Sequence, residues 1–419
     1  MVGARALVLR PMDRPSISFA ANGRRYRRPT RPTLAICADG TDPAYLDDAL
    51  AHGSMPRLAE ALDAGGTLTL GKAQVPTFTN PNNCCIVTGV SAATHGIAGN
   101  HYRSADGHEV QLTDPSALRA PTIYAEAERA GIPTLCVTAK DKLRRLLASG
   151  GVPAVSAENA HEQTLPELGG LSVAEHYGRP NPGIYDPELS SYAIDLALHL
   201  ASELGAMLVY VSLTDYVQHA AGPGEPLARA FYEDFDERLG RALDGGWVVG
   251  FAADHGMNAK SRPDGSPEVR YLEPVLAAAG VAPFHVILPI TDPYVAHHGA
   301  LGSLAWVHVD ASAIDIATKA LAALPGVEAV LGRESAAEAF ELPPDRIGDL
   351  VLLADRSTVL GTAADKHDLS GLHGRLRSHG GLHEQAVPIA VLNPLRPGAI
   401  EHRELRNRDL HDLLLNDVL

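Results

Sequence analysis

Acidic side chains end three separate apolar stretches of the chain, and these are the residues most suggestive of chemistry. Asp39 ends TLAICADG, Asp215 ends AMLVYVSLTD, and Asp254 and His255 come near the end of WVVGFAADHG. Each feature alone has an ordinary explanation, because an Asp at a strand end often forms a turn or caps the next helix. Three such endings in one chain indicate a common cleft.

Histidines close to these carboxylates could complete metal sites. His219 follows Asp215 by four residues in TDYVQH, so a helical turn would place both on one face, within reach of one ion. The segment RSHGGLHE offers His379 and His383 beside two glycines, which let the backbone approach a ligand closely. Histidines in such loops are more often solvated, so this segment is a weak signal by itself.

Taken together, these residues offer two sets of nitrogen and oxygen ligands without thiolate. An Asp with two His suits Zn²⁺, and two carboxylates with one His suit a second divalent ion. Two ions about 3.5–4 Å apart are the usual device for holding the attacking and leaving atoms of a phosphoryl transfer. The pattern therefore favours metal-assisted phosphorus chemistry.

The stretch TFTNPNNCCIVTG, residues 77–89, supplies a candidate nucleophile. Thr79 is predicted to be the N-cap of a helix that has Pro81 in its first turn. On this interpretation, capping the helix is the only role of Thr79. The same position, facing free N–H groups where phosphate binds, would let a hydroxyl beside a metal attack phosphorus. Thr77 and Thr88 compete for this role, and Thr88 is the weaker candidate because it lies a helix length further on.

Alternating strands and helices must position these residues. Near-continuous apolar strands followed by helical patterns predict an α/β fold, with a mostly parallel sheet covered on both faces and ligands at the carboxyl ends of the strands. The predicted strands are 33–40, 67–74, 133–142, 206–215 and 247–256, and the predicted helices are 55–66, 121–131, 189–204 and 225–243.

The pattern changes after residue 256, where Pro and Gly become more frequent and short strands alternate with two modest helices at 312–324 and 334–341. Near the start, the arginine-rich residues 1–31 favour a hairpin around Asn22-Gly23 over a transit peptide. The predicted organisation is an N-terminal extension at 1–30, a catalytic α/β core at 31–256 and 376–419, and a smaller inserted α+β cap at 257–375.

Composition restricts the partners. The 419 residues carry a formal net charge of −15, which argues against a nucleic-acid partner. No run of about 18 apolar residues predicts a membrane span. The four cysteines follow no metal or disulfide spacing, which is typical of buried free thiols and of a reducing cytoplasm. A cytoplasmic protein acting on a small molecule is therefore expected.

The ordered motifs CADG, TFTNPNNCCIVTGVSAATHGIAGN, TDYVQH, ADHG and SHGG resemble the alkaline phosphatase superfamily. Thr-Asn-Pro-Asn and His-Gly-Ile-x-x-Asn are similar to its nucleotide pyrophosphatase/phosphodiesterase branch. With VTAKDKLRRLL, the chain is most similar to the zinc hydrolases of that branch that act on phosphonoacetate, over residues 15–395. The resemblance implies an alkaline phosphatase-like core with an inserted cap, and cleavage of a carbon–phosphorus bond through a phospho-threonine intermediate, giving acetate and phosphate.

The resemblance also implies roles for individual residues, all of which are expectations at this point. Two Zn²⁺ ions per chain are implied, and Thr79 would be both nucleophile and metal ligand. Asn100 would donate to a phosphonate oxygen, and Lys140 and Lys142 would bind the substrate carboxylate. The implied ligands are Asp215, His219 and His379 for one ion and Asp39, Asp254, His255 and Thr79 for the other, with His379 preferred to His383 on the SHG match.

Several alternatives remain open. Lys140 and Lys142 could simply begin a solvated basic helix, which is the commoner situation for AKDKLRR. With the same metals the chain could instead be a phosphodiesterase or nucleotide pyrophosphatase, although an aromatic content of 5% speaks mildly against a nucleobase slot. A phosphomutase and a non-catalytic metal-binding protein are weaker alternatives. Metal identity and oligomeric state are open, with a homodimer as one alternative.

Overall fold

The computed structural model describes residues 18–112, 114–290 and 300–419. Residues 1–17 of the predicted extension and residues 291–299 of the predicted insertion lie outside the described part of the chain. The predicted hairpin is present, since strand Ser18–Ala21 pairs antiparallel with strand Arg24–Arg27. Asn22 and Gly23 both have positive φ, which two-residue hairpin turns of this kind require.

The strands of the described residues are short. They are β1 (Ser18–Ala21), β2 (Arg24–Arg27), β3 (Thr33–Cys37), β4 (Thr67–Lys72), β5 (His101–Arg103), β6 (Glu109–Gln111), β7 (Thr134–Thr138), β8 (Ala154–Ser156), β9 (Leu208–Ser212), β10 (Val248–Ala252), β11 (Asn258–Ala259), β12 (Val269–Tyr271), β13 (Phe284–Ile287), β14 (Leu304–Val309), β15 (Val327–Gly332), β16 (Leu350–Ala354), β17 (Val359–Gly361), β18 (Arg377–Ser378) and β19 (Ala386–Val391).

The helices connect these strands and cover the sheets. They are α1 (Pro43–Ala51), α2 (Pro56–Asp63), α3 (Thr79–Thr88), α4 (Ala92–His95), α5 (Ile123–Arg129), α6 (Asp141–Leu147), α7 (Val173–Tyr177), α8 (Leu189–Leu204), α9 (Tyr216–Ala220), α10 (Pro226–Asp244), α11 (Leu272–Ala278), α12 (Ile314–Ala322), α13 (Arg333–Phe340) and α14 (Leu410–Asp412). Among the helices of the described residues, none has the length and apolar composition needed to cross a bilayer.

The main sheet has seven strands in the order β4-β19-β10-β3-β9-β7-β8. The strands from β10 to β8 are mutually parallel, and β19 runs antiparallel to both of its neighbours. Leu34 and Ile36 of β3 pack into one apolar cluster, whereas Ala35 and Cys37 pack into another. Alternate residues of a strand point to opposite faces, so both faces of the sheet are covered. The predicted α/β fold with a mostly parallel sheet is confirmed.

A second, antiparallel sheet has the order β13-β14-β16-β15 and its own apolar cluster around the fully buried Trp306. The two helices predicted in this region are α12 and α13. Helix α11 was not predicted, and Pro274 lies in its first turn, where a proline is tolerated. This sheet lies within the predicted insertion, and the assignment of 257–375 as a separate cap stays a prediction.

Candidate metal centre and active site

Charged residues lie at the carboxyl ends of four adjacent parallel strands, and these strand ends form one edge of the main sheet. Their order across the sheet is β10, β3, β9 and β7. Asp254, Asp39, Asp215 and Lys140 follow these strands in the same order, each within three residues of the strand end. The strand order thus places three carboxylates side by side and a lysine beyond the third. Nζ of Lys140 lies 3.1 Å from Oδ1 of Asp215.

A short pair of strands brings two distant histidines together. Strand β11 pairs antiparallel with β18, with Asn258 opposite Ser378. His255 precedes β11 and His379 follows β18, and their rings stack with centroids 3.6 Å apart and planes 6° apart. Gly380 has a φ of +120°, and a Cβ there would collide with the Phe78 ring, so glycine is required directly after His379.

Each of the three histidines at this edge is oriented by a backbone carbonyl. A carbonyl only accepts, so Nδ1 carries a hydrogen and Nε2 is the nitrogen left to face the carboxylates. This arrangement of the second ring nitrogen is typical of histidine ligands to metals. The bonds are His219 to the Arg377 carbonyl at 2.8 Å, His255 to the Gly256 carbonyl at 2.9 Å, and His379 to the Thr77 carbonyl at 2.8 Å.

The carboxylates and imidazoles form two overlapping groups that could each hold an ion. Donor atoms of Asp39, Asp254 and His255 lie within 4.8 Å of one another, as do those of Asp215, His255 and His379. Oδ2 of Asp215 also lies 2.9 Å from Nε2 of His219 and 3.6 Å from Nε2 of His379. All of these side chains are buried. The structure therefore gathers every predicted side-chain ligand in one place, with His255 between the two groups.

The surroundings of Asp39 fit a bound cation. It is 1% exposed, and neither carboxylate oxygen has a hydrogen-bond partner among the described residues. Oδ1 lies 3.3 Å from Nε2 of His255. Although burial lowers the pKa of that imidazole, the Asp254 and Asp39 carboxylates raise it to about 10. Burial raises the pKa of the Asp39 carboxyl well above its usual range, and the Asp215 and Asp254 carboxylates raise it further. Buried carboxylates this close together need positive charge beside them, which a bound cation would supply.

Thr79 lies at the start of α3 and lines the same cleft, with its hydroxyl 3.4 Å from Nε2 of His255. The prediction that Thr79 is the N-cap is wrong. Phe78, with extended φ and ψ of −119° and 155°, occupies that position, and no side chain caps the helix. Because the Thr79 backbone is already helical, its hydroxyl is not used for capping and lies at the cleft.

The two competing threonines have structural partners. The Thr77 hydroxyl donates to the Gly381 carbonyl at 2.9 Å and accepts from the Gly380 N–H at 3.0 Å, which fixes the loop after His379. The Thr88 hydroxyl donates to the Cys84 carbonyl at 2.6 Å, one turn back along α3. Among the three, only Thr79 lines the cavity at the carboxylates.

Asn83 is a positioning residue that the sequence reasoning missed. Its amide nitrogen donates to Oδ2 of Asp254 at 3.3 Å and to the Thr79 carbonyl at 3.0 Å. Its carbonyl oxygen accepts from the Tyr210 hydroxyl at 2.7 Å. Asn83 follows Thr79 by four residues, so the helical period places it on the same face. That spacing was the available signal.

A cavity of about 650 Å³ opens onto these groups. Lys142 and Asn100, both predicted substrate contacts, lie in its wall with Lys140, and so do apolar residues such as Phe78 and Ile290. His383 lies elsewhere, on the surface, with Nε2 2.8 Å from a carboxylate oxygen of Glu328. The lining residues are Asp39, Phe78, Thr79, Asn80, Asn100, Gln111, Lys140, Asp141, Lys142, Leu143, Arg145, Glu158, Asn159, Ile184, Ser212, Leu213, Asp215, His219, Ile290 and His379.

A fully buried ion pair supports the loop that carries His379. Nζ of Lys260 lies 2.9 Å from Oε1 of Glu384, and both side chains are inaccessible to solvent. Glu384 also accepts from the Asn258 amide at 2.6 Å and from the Gly381 N–H at 3.0 Å. The carboxylate thus connects β11 to the glycine loop, and it fixes the relative positions of the segments that carry the two stacked histidines.

We expect Lys260→Met to destabilise the protein by about 3–5 kcal/mol, because removing one partner leaves a buried charge uncompensated. Urea unfolding followed by circular dichroism measures the effect as a shift of the midpoint. Lys366→Met is the matched control, since Lys366 forms an exposed pair with Glu273 and its loss should cost under about 1 kcal/mol. Equal midpoints for the two variants would show that the buried pair does not hold this loop.

Comparison with known proteins identifies the family. The family model described as type I phosphodiesterase/nucleotide pyrophosphatase matches residues 33–381, which is most of the chain. The chain belongs to the type I phosphodiesterase/nucleotide pyrophosphatase family. The resemblance predicted from the motifs is confirmed, and so is the expectation that the chain is a hydrolase of the alkaline phosphatase superfamily.

Within this phosphodiesterase/pyrophosphatase family, the chain is similar to the phosphonoacetate hydrolase of Sinorhizobium meliloti 1021. The two chains are 44% identical with a TM-score of 0.87, over 94% of this chain and 97% of that one. Crystal structures of that enzyme contain phosphonoformate or phosphonoacetate. Murine ectonucleotide pyrophosphatase/phosphodiesterase 5 shares the fold at 17% identity, with a TM-score of 0.61 over 92% of this chain and 94% of that one.

Proposed function

We propose that this protein hydrolyses the carbon–phosphorus bond of phosphonoacetate, giving acetate and phosphate. The observation that carries the proposal is the order of charges at the sheet edge, where Lys140 and Lys142 line the same cavity as Thr79 and the buried carboxylates. Such a cavity suits a small anion with two different acidic ends. The 44% identity to an enzyme crystallised with phosphonoacetate supports the same substrate.

The donor set fits two Zn²⁺ ions, as the orphaned Asp39 oxygens and the three oriented imidazoles indicate. When bound, the ions supply positive charge for the phosphonate oxygens and lower the pKa of the Thr79 hydroxyl. The proposed ligands of one ion are Asp215, His219 and His379, and those of the other are Asp39, Asp254, His255 and Thr79.

In the first proposed step, the Thr79 oxygen attacks phosphorus in line with the carbon leaving group. The hydroxyl proton leaves to solvent as the Oγ–P bond forms. The P–C bond breaks, and its electron pair goes to the CH₂ carbon of the leaving acetate, which then takes a proton from solvent. Asn100 donates a hydrogen bond to a phosphonate oxygen. Water then attacks phospho-Thr79, which releases phosphate and restores the hydroxyl.

The carbon leaving group explains the need for the two lysines. A carbanion is a poor leaving group unless its charge spreads onto the adjacent carboxylate as an enediolate. Ammonium groups at that carboxylate stabilise charge that develops only as the bond breaks, which is the kind of interaction that raises kcat. In the present structure Lys140 pairs with Asp215, so substrate binding also places this ammonium between two carboxylates.

A rate comparison over several substrates tests the proposal. Phosphate release from phosphonoacetate should exceed release from methylphosphonate and 2-aminoethylphosphonate by at least about 10²-fold, because neither carries a carboxylate. Hydrolysis of bis(p-nitrophenyl) phosphate on the same sample tests the phosphodiesterase alternative, which the family description favours. If the diester is hydrolysed and phosphonoacetate is not, the alternative is correct.

Removal of metal should abolish turnover. After dialysis against dipicolinate, we expect phosphonoacetate hydrolysis to fall by about 10²-fold or more, and Zn²⁺ to restore it, because charge neutralisation at the phosphonate is lost. Metal analysis before and after treatment gives the number of ions removed. Full activity in protein stripped of metal would contradict the proposed mechanism.

A further inference from the structure

A second group of metal-ligating side chains lies on α7 and α8, away from the active-site cleft. His199 and Glu203 are four residues apart on α8, so they project from one face of the helix. His176 lies on the neighbouring helix α7. One donor atom from each of the three residues lies within 4.8 Å of the others. None of the three lines the 650 Å³ cavity, so this group is distinct from the candidate active site.

The carboxylate of Glu203 lies between the two imidazoles. Nε2 of His176 contacts Oε2, and Nε2 of His199 lies 3.6 Å from Oε1. Nε2 of His199 has no hydrogen-bond partner among the described residues, although this nitrogen atom itself is almost inaccessible to solvent. One donor nitrogen thus lacks a partner beside an anionic ligand.

The ligand types select the kind of ion. Two imidazoles and one carboxylate suit Zn²⁺ and similar transition metals, whereas Ca²⁺ and Mg²⁺ prefer all-oxygen sites. The side chains of His176, His199 and Glu203 are 22%, 34% and 43% exposed, so water could complete the coordination from the outer side. Two donors of one Zn²⁺ lie at most about 4 Å apart, so binding requires only small rotations of these side chains.

The backbone around this group is held in place on both sides. Ser172 and Glu175 form a reciprocal capping box that fixes the start of α7. Helix α8 packs on the main sheet, and the ring of Tyr177 lies 5.1 Å from that of His199. The ligands therefore come from two helices whose separation is already set, which reduces the entropy lost on binding.

We propose that His176, His199 and Glu203 form a third site for a divalent transition-metal ion, which joins α7 to α8. The chain from β8 to α8 contains α7 and also supplies Glu158, Asn159 and Ile184 to the cavity wall. An ion at this position would hold α7, in the segment that also carries these wall residues, against α8. The site is more accessible than the buried centre, so it exchanges metal faster and binds it less tightly.

Anomalous diffraction at the zinc edge tests the proposal on the full-length protein crystallised with Zn²⁺ alone. We expect a peak between Nε2 of His176, Nε2 of His199 and the Glu203 carboxylate. This peak should be absent in His199→Gln and present in His285→Gln, whose histidine forms another surface pair with a glutamate, Glu109. Because the map locates each ion, the result does not depend on how much metal the buried centre holds.

Equilibrium dialysis in solution provides the second measurement. The parent and His285→Gln should bind one more Zn²⁺ per chain than His199→Gln, and both should gain thermal stability on addition of Zn²⁺ to protein whose buried centre is already loaded. A circular dichroism spectrum unchanged in His199→Gln shows that the variant is folded. A map without the third peak, or equal zinc content in parent and His199→Gln, would overturn the proposal.

Discussion

Thr79→Ala should lose at least about 10³-fold in kcat for phosphonoacetate, because the variant has no oxygen to form the bond to phosphorus. The zinc content should change little, since the six other proposed ligand residues remain at the sheet edge. Phosphate release under saturating substrate measures the loss, and metal analysis of the same sample shows whether the centre is intact.

Thr77→Ser is the matched control. It keeps a hydroxyl that can bond to the glycine loop, so its kcat should stay within about threefold of the parent. Thr79→Ser should retain part of the activity, because a nucleophilic oxygen is present but is held less firmly without the methyl group. A Thr79→Ala protein with the parent rate and full zinc content would show that another group attacks phosphorus.

The double variant Lys140→Met/Lys142→Met should lose about 10²–10⁴-fold in kcat/KM for phosphonoacetate, since each of the two charge-assisted hydrogen bonds contributes about 1.5–3 kcal/mol. Hydrolysis of an aryl phosphonate ester, which has a good leaving group and no carboxylate, should fall far less. The ratio of the two losses separates carboxylate recognition from general damage to the centre.

Single variants refine this test, because Lys140 also contacts the proposed ligand Asp215. Lys142→Met avoids that contact and should affect only the carboxylated substrate. Lys319→Met, an exposed lysine on α12, should leave both reactions unchanged. Parallel losses for the two substrates in Lys142→Met would contradict its assigned role.

The fold and the site could be predicted from the sequence wherever an apolar strand pattern is followed by residues that could bind a metal. Mostly apolar runs predicted β3, β9 and β10, each of which has five buried residues, and the Asp found two or three residues after each strand marked the functional edge. The helix at 189–204 was predicted with the bounds observed. Lys140 directly precedes the basic helix α6 and also lines the cavity, so a basic helix start does not exclude the proposed substrate contact.

Other features depend on contacts between distant parts of the chain, which a single sequence does not display. The Lys260–Glu384 pair joins residues 124 positions apart. The preference for His379 over His383 depends on the pairing of β11 with β18, which directs one histidine inward and leaves the other on the surface beside Glu328. The Thr79 cap was mispredicted because the local pattern fixes a helix start only to within a residue or two.

The central claim is cleavage of the carbon–phosphorus bond, and NMR of one reaction tests it most directly. Zinc-loaded protein is incubated with phosphonoacetate labelled with ¹³C at the methylene carbon, and ³¹P and ¹³C spectra are recorded over time. We predict loss of the phosphonate signal with equal formation of orthophosphate and ¹³C-methyl acetate. A phosphonate signal that persists while the same sample hydrolyses a phosphodiester would contradict the account.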